Sequence, residues 1–211
     1  MRLVVKKKSL RWMLWWAQRA LVACAVLALG YCGFVLVDAW VFQKRASRDF
    51  ERLLRDRLAA SGGTSQTGSP LSPQGLPAIA PGGLIGRIEI PRLGISAVVA
   101  EGIDNPTLRR AVGHIPGTGL PGQPGNVALA GHRDTFFRPL RNIHRNDVIT
   151  LTTLQGEYRY RVVSARVVSA YDVAVLDPSA NEVLTLVTCY PFDFVGSAPN
   201  RFVVRAERVT G

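Results

Sequence analysis

The sequence predicts a mostly β fold, a small β-barrel or sandwich, preceded by one membrane-spanning helix. Three observations carry this. Residues 84–211 hold a series of short segments rich in β-branched and apolar residues, separated by Gly, Pro, Asn or Asp. Residues 20–37 form an uncharged apolar run. Between the two lies a stretch rich in Gly, Ser and Pro, with little that could pack.

The chain opens with a basic segment, residues 1–19, expected in the cytoplasm. The apolar run, continued past Asp38 by Ala39, Trp40, Val41 and Phe42, is long enough to cross a bilayer. Trp12, Trp15, Trp16 and Trp40 suit membrane interfaces, whereas Tyr31 lies too deep for a clean belt. Arg19 can snorkel to the inner surface. The positive-inside rule does not orient the span by count. Arg2, Lys6, Lys7, Lys8, Arg11 and Arg19 precede it, and Lys44, Arg45, Arg48, Arg52, Arg55 and Arg57 follow it. A compact basic leader favours the N-terminus inside, so residues 20–42 read as a signal-anchor. The run is long for a cleaved signal, and no clean small-x-small site follows it. The LVAC stretch ending at Cys24 loosely resembles a lipidation box, but Gln18 and Arg19 interrupt the apolar region it would need.

Residues 43–58 read as an amphipathic helix, with Phe50, Leu53, Leu54 and Leu58 at helical spacing. It would extend the membrane helix or lie on the lipid surface. Residues 59–83 read as a flexible tether, whose root-mean-square span would be on the order of 25–30 Å. Strands are expected over residues 85–90, ended by Pro91, and over 95–100, 126–130, 148–153, 157–170, 183–188 and 202–206. One short helix is expected at 106–111, with Asn105 capping and Pro106 in its first turn. A half-turn is expected near 136–143.

The formal net charge is +11, from 26 Lys and Arg against 15 Asp and Glu. Residues 1–83 carry 12 of those cations against 4 acids, leaving 14 against 11 for residues 84–211. The basicity is therefore membrane-proximal, and the globular part lacks the basic face with stacking aromatics that nucleic-acid binding needs.

Of the three cysteines, Cys24 and Cys32 fall in the apolar run, and Cys189 stands alone in the folded part. No Cys/His spacing suggests zinc. A lone domain thiol is either a small buried apolar group or a nucleophile. Cys189 ends an apolar strand, TLVTCYP at 185–191. His132 follows another, GNVALAGHRD at 125–134, and Arg201 opens the last. These three residue types form a coherent chemistry. A thiol attacks as thiolate, a minor species for a free Cys with pKa of about 8.5. A neighbouring cation stabilises the thiolate. A histidine can protonate a leaving amine and deprotonate an incoming one. Arginine stays charged and can bind the oxyanion of an attacked carbonyl.

At these residues the chain resembles the sortases. TLVTC resembles the family's TLxTC signature, AGHRD at 130–134 its histidine motif, and Arg201 its arginine, twelve residues after the cysteine. GHIPGT at 113–118 and PGQPGN at 121–126 resemble class D sortases. The resemblance covers about residues 84–208. It implies an eight-stranded β-barrel with one or two short helices, and a cysteine transpeptidase acting outside the membrane. It implies cleavage of an LPxTG-like sorting signal between Thr and Gly, through a thioacyl-enzyme that an amine resolves. That amine would belong to a cell-wall precursor or a pilin lysine. Carried over, Cys189 is the nucleophile, His132 the acid/base and Arg201 the oxyanion or substrate cation. Thr188, Tyr190 and His114 become substrate-binding candidates, and residues 171–181 a wall of the sorting-signal groove. No acid cluster like the calcium site of class A sortases is present, so neither metal nor cofactor is expected.

Other readings compete. His144 sits in a polar turn, and Asp134 is poorly spaced to orient His132. Arg133 should point away from His132 by strand alternation. Tyr190, Phe192 and Phe194 suit either the core or a wall for the peptide. A hydrolase could use the same site, and aminolysis would separate it from a transpeptidase. A tethered, non-catalytic β-barrel would not need Cys, His and Arg at three strand ends. An L,D-transpeptidase would need a Ser/His-x-Gly-Cys neighbourhood, which is missing.

Overall fold

A computed structural model describes residues 7–61, 80, 82–194 and 196–209. The chain divides into two units, residues 1–41 and residues 42–211. Helix α1, Lys7–Ser61, runs through the boundary. Its first part is long and apolar enough to cross a membrane, and Trp12, Leu21, Leu27 and Phe34 stand exposed along it. The tether expected over residues 59–83 lies mostly outside the described residues.

The second unit begins with the end of α1. The amphipathic segment is helical, as its spacing requires, but its partner is protein. Phe50 is buried, Gln43 donates to Arg110 O and accepts from Val98 N, and Glu51 pairs with Arg87.

Eight strands follow: β1 Leu84–Ile90, β2 Ile95–Glu101, β3 Val112–His114, β4 Asn126–Ala130, β5 Val148–Thr153, β6 Glu157–Ser169, β7 Val183–Tyr190 and β8 Asn200–Arg208. They close into a barrel in the order β1-β2-β3-β4-β7-β8-β6-β5. The pairs β2·β3 and β4·β7 are parallel and the rest antiparallel. Alternation drives the closure. Ile88, Ile90, Leu129, Leu184, Leu186 and Val204 point inward and are fully buried. Each such side chain contributes about 1.5–3 kcal/mol by leaving water. Closure also leaves no strand edge to aggregate.

Strand β3 escaped sequence reading because three residues, one of them Gly, give no visible alternation. Helix α2, Asn105–Arg110, is capped by Asp104 rather than Asn105, because the Asp104 carboxylate accepts from Thr107 N. That bond puts Asn105 and Pro106 inside the first turn. The expected half-turn is a 3₁₀ turn, Arg138–Asn142.

A second carboxylate fastens the barrel's lower loops. Arg92 Nε and Nη2 reach the two Asp147 oxygens at 2.5 Å each, and His144 N donates to the same group. The Arg92 hydrogen bonds hold the Asp147 carboxyl below the usual range, against a smaller desolvation effect. A depressed folded-state pKa stabilises above the unfolded value of about 3.9, and that stability is lost as pH falls through the folded value. Asp147→Asn should therefore flatten the loss of stability as pH falls below about 4. Denaturant midpoints across that range check it, and an unchanged slope would refute the role.

Candidate active site

Two strand ends are locked side by side before any side chain of chemical interest appears. In the parallel pair β4·β7, Ala130 is the register partner of Val187. The pairing then continues by one step. Gly131 N donates to Val187 O at 3.2 Å, and Thr188 Oγ1 donates to Gly131 O at 2.7 Å. His132 therefore leaves β4 level with Cys189 on β7. Gly131 is required there, since a Cβ would lie 2.7 Å from the buried Phe137 ring.

On the other side of β7, Cys189 and Arg201 are register partners in the antiparallel pair β7·β8. Partnered side chains leave the same face of a sheet, so thiol and guanidinium emerge together on the outer wall. His132, Cys189 and Arg201 line one cleft of about 350 Å³. Arg133 and Asp134 border it on the histidine side, and Gly196, Ser197 and Ala198 on the arginine side. Cys189 is half-buried. Arg201 Nη1 donates to Ala198 O at 3.1 Å and Asn200 O at 2.9 Å, which aims the side chain along the β7–β8 loop.

Arg133 is committed to that loop. Its Nη1 donates to Pro191 O, and its Nη2 to Phe194 O and Gly196 O. The guanidinium also lies over the Phe194 ring. It fastens the histidine loop to the cysteine loop, and Arg201, the register partner of Cys189, is the other arginine lining the cleft.

The other expected site residues are placed differently. Thr188 is buried and not among the cleft-lining residues; its hydroxyl holds the backbone before His132. Tyr190 packs with Phe192 and Phe202, on the opposite face of β7 from Cys189. Phe192 joins the margin of the core, and Phe194 is exposed. His114 is also absent from the cleft lining. It is 3% exposed, with Nδ1 2.7 Å from Glu101 Oε2 and Nε2 2.9 Å from Gly119 O. A carbonyl only accepts, so Nε2 carries a proton and both ring nitrogens are occupied. His114→Ala should cost about 2–3 kcal/mol, by leaving buried polar partners unsatisfied. Thermal unfolding would show that loss, while the alkylation rate of Cys189 should not change. A changed thiol rate with unchanged stability would instead support a role for His114 in the site.

Sequence reading missed the Gly196–Ser197–Ala198 wall, whose only signal is its small residues between Phe194 and Asn200. It also missed Asn126. Asn126 Nδ2 donates to Val175 O and Asp177 O, and its Oδ1 accepts from Thr185 Oγ1. This buried amide holds the β6–β7 connection against the outer face of β4 and β7. Among the described residues, no three His, Cys, Asp or Glu side chains converge as a metal site would require.

Comparison with known proteins agrees with this arrangement. The sortase domain family matches residues 88–209. Sortase D of Bacillus subtilis is 30% identical over 191 residues, covering 90% of this chain and 96% of that protein. The structure of a Clostridium perfringens sortase D5 transpeptidase superposes with a TM-score of 0.64 at 24% identity, covering 81% of this chain and 99% of that one. At that identity the likeness bears on the fold alone. Listeria monocytogenes sortase A superposes with a TM-score of 0.56 at 27% identity, covering 60% of this chain and 88% of that one. With the family match over more than half its length and a relative aligned along nearly all of it, the chain belongs to the sortases, cysteine transpeptidases that join sorting-signal proteins to amines.

Proposed function

We propose that this sortase is anchored by residues 20–42 with its N-terminus in the cytoplasm, and that its barrel attaches proteins to the cell surface from the extracytoplasmic side. The Cys189 thiolate attacks the Thr carbonyl of an LPxTG-like signal. Arg201 stabilises the charge that develops on the carbonyl oxygen. The tetrahedral intermediate collapses, the Thr–Gly bond breaks, and His132 protonates the departing Gly amine. The acyl chain remains on Cys189 as a thioester. His132 then takes a proton from an incoming amine, which attacks the thioester, and the thiol is released with a new amide formed. Thr188 and Arg133 are positioning residues, holding the histidine and cysteine loops.

One observation carries this reading. His132, Cys189 and Arg201 come from the ends of three different strands, the first 57 residues before the second, and line one outward-facing cleft. The test is an intact mass spectrum of the full chain in detergent micelles, incubated with LPxTG-type peptides. The expected result is an adduct equal to the peptide up to its Thr, discharged by an added amine as an aminolysis product. Discharge to the free acid alone, at any amine concentration, would identify a hydrolase. No adduct and no cleavage across a varied peptide set would favour a non-catalytic binding barrel.

A further inference from the structure

The outer wall carrying Cys189 continues away from the cleft as a regular ladder. Along β7 the same face presents Cys189, then Val187, then Thr185. Along β8, Arg201 is the partner of Cys189 and Arg205 the partner of Thr185. On β6, the next strand round the barrel, Arg166 is the partner of Val203, between those two arginines. Arg166, Arg205, Ser164, Val175, Thr185 and Val203 line an open cavity of about 270 Å³. Val175 belongs to the β6–β7 connection that Asn126 holds down.

The two guanidiniums in this cavity differ from most other arginines of the barrel. Arg87, Arg92, Arg133, Arg141, Arg159, Arg201 and Arg208 each bond a carboxylate or carbonyl. Arg166 and Arg205 have no hydrogen-bonding or ionic partner among the described residues; Arg205 is half-buried and Arg166 exposed. The nearest same-face carboxylate on β8 is Glu207, whose register partner is another cation, Arg161. Two unpaired cations from adjacent strands, with a serine hydroxyl and an apolar floor, suit a carboxylate on a side chain with a short apolar stem.

Which part of the reaction reaches this cavity follows from the order of strands. The leaving amine must lie beside its general acid, His132, which follows β4 on one side of β7. The acyl segment then runs from Cys189 along the outer face of β7 toward Thr185, whose register partner on β8 is Arg205. Four residues of β7 separate Cys189 from Thr185, about 13 Å at strand rise, and an extended peptide covers that distance in about four residues. Counting back from the attacked Thr of LPxT, four residues reach the position just before Leu.

On the proposed sortase reading, we infer that Arg166 and Arg205 form a carboxylate subsite that selects sorting signals with Asp or Glu one or two positions before the Leu. The site lies beyond the motif itself, so it discriminates among substrates that share the motif.

The experiment uses the full chain in non-ionic micelles at low salt with two peptides. Both contain Leu-Pro-Asn-Thr-Gly, preceded by Glu-Glu in one and Gln-Gln in the other. The expected ratio of kcat/KM is about 5- to 10-fold in favour of Glu-Glu, falling as salt is raised. Arg205→Gln and Arg166→Gln should each lower that ratio toward one, and Arg205→Glu should shift preference to a Lys-Lys peptide. Thermal unfolding of each variant confirms that the barrel is intact, and the ratio is read within one variant, so a general loss of rate does not imitate the effect. Turnover of both peptides with a wild-type ratio near one overturns the subsite and leaves the sortase reading standing. So does a ratio that survives both Gln variants. A preference that follows a Glu on the amine acceptor, and is erased by the same variants, overturns the assignment to the acyl donor. Absence of turnover on any peptide overturns the proposed sorting-signal reaction and the subsite with it.

Discussion

Cys189→Ala should abolish the thioacyl adduct and lower kcat/KM for sorting-signal cleavage by at least about 10³-fold, while the barrel unfolds at nearly the same temperature. The two parts of this expectation have different physical origins. Cys189 stands at the end of β7, half-buried, with its side chain on the outer wall and outside the core. Truncating it removes few packing contacts, so stability should change by less than about 1 kcal/mol. The chemistry, by contrast, has no substitute. Without a thiol, the carbonyl must be attacked directly by water or amine, and the division of one hard step into two easier ones is lost. Cys189→Ser sharpens the test. It keeps an attacking atom in place but removes the readily ionised one, so its rate should resemble that of the Ala variant more than wild type. Cleavage that persists in Cys189→Ala at near wild-type rate would exclude the proposed mechanism.

Arg201→Ala should lower kcat by about 10²–10³-fold, the scale seen when one donor to a developing oxyanion is removed. Arg201 has a second task, since Nη1 also bonds two loop carbonyls, Ala198 O and Asn200 O. Arg201→Lys separates these roles. The ammonium keeps the charge but lacks a planar fork that can hold the loop and face the substrate together. If charge beside the thiol dominates, Lys should restore a large part of kcat. If donor geometry dominates, Lys should fall near Ala. In either case the loss should appear mainly in kcat. A rise in KM with kcat unchanged would mean that Arg201 contributes uniform binding only, and the oxyanion role would be wrong.

The parts of the fold that the sequence announced are those where one force decides. Alternating segments such as residues 85–90 and 148–153 became β1 and β5 because burial on one face leaves a period of two no other arrangement. The apolar run became helix for the same kind of reason. What stayed hidden depends on pairs of distant residues. Strand β3 exists because its residues pair with β2 and β4, not because of its own pattern. The capping role of Asp104 is one residue from the expected position, a distinction that only the geometry of the turn decides. Cys189, His132 and Arg201 stood out as candidates because each ends or opens a strong strand within a motif resembling the sortases, and the structure brings the three to one cleft. Thr188, Tyr190 and His114 lie outside the lining of the cleft. Nearness in sequence to a reactive residue does not say which face of a strand a side chain takes. Alternation puts Thr188 and Tyr190 opposite Cys189, and His114 is held by Glu101 and Gly119 in a buried network.

Strand β8 lies between β6 and β7 in the barrel, although it is the last of the eight strands in sequence order. A polypeptide threaded outward from its N-terminal anchor would present the thiol of β7 before the final strand arrives. Until then the barrel is an open sheet with two bare edges, and the thiol lacks its arginine. On the proposed topology and mechanism, acyl transfer would wait for β8 to join the sheet. A stalled or clipped chain would carry a cysteine without its partner cation, and surface labelling chemistry would be withheld from incomplete molecules by the order of assembly alone.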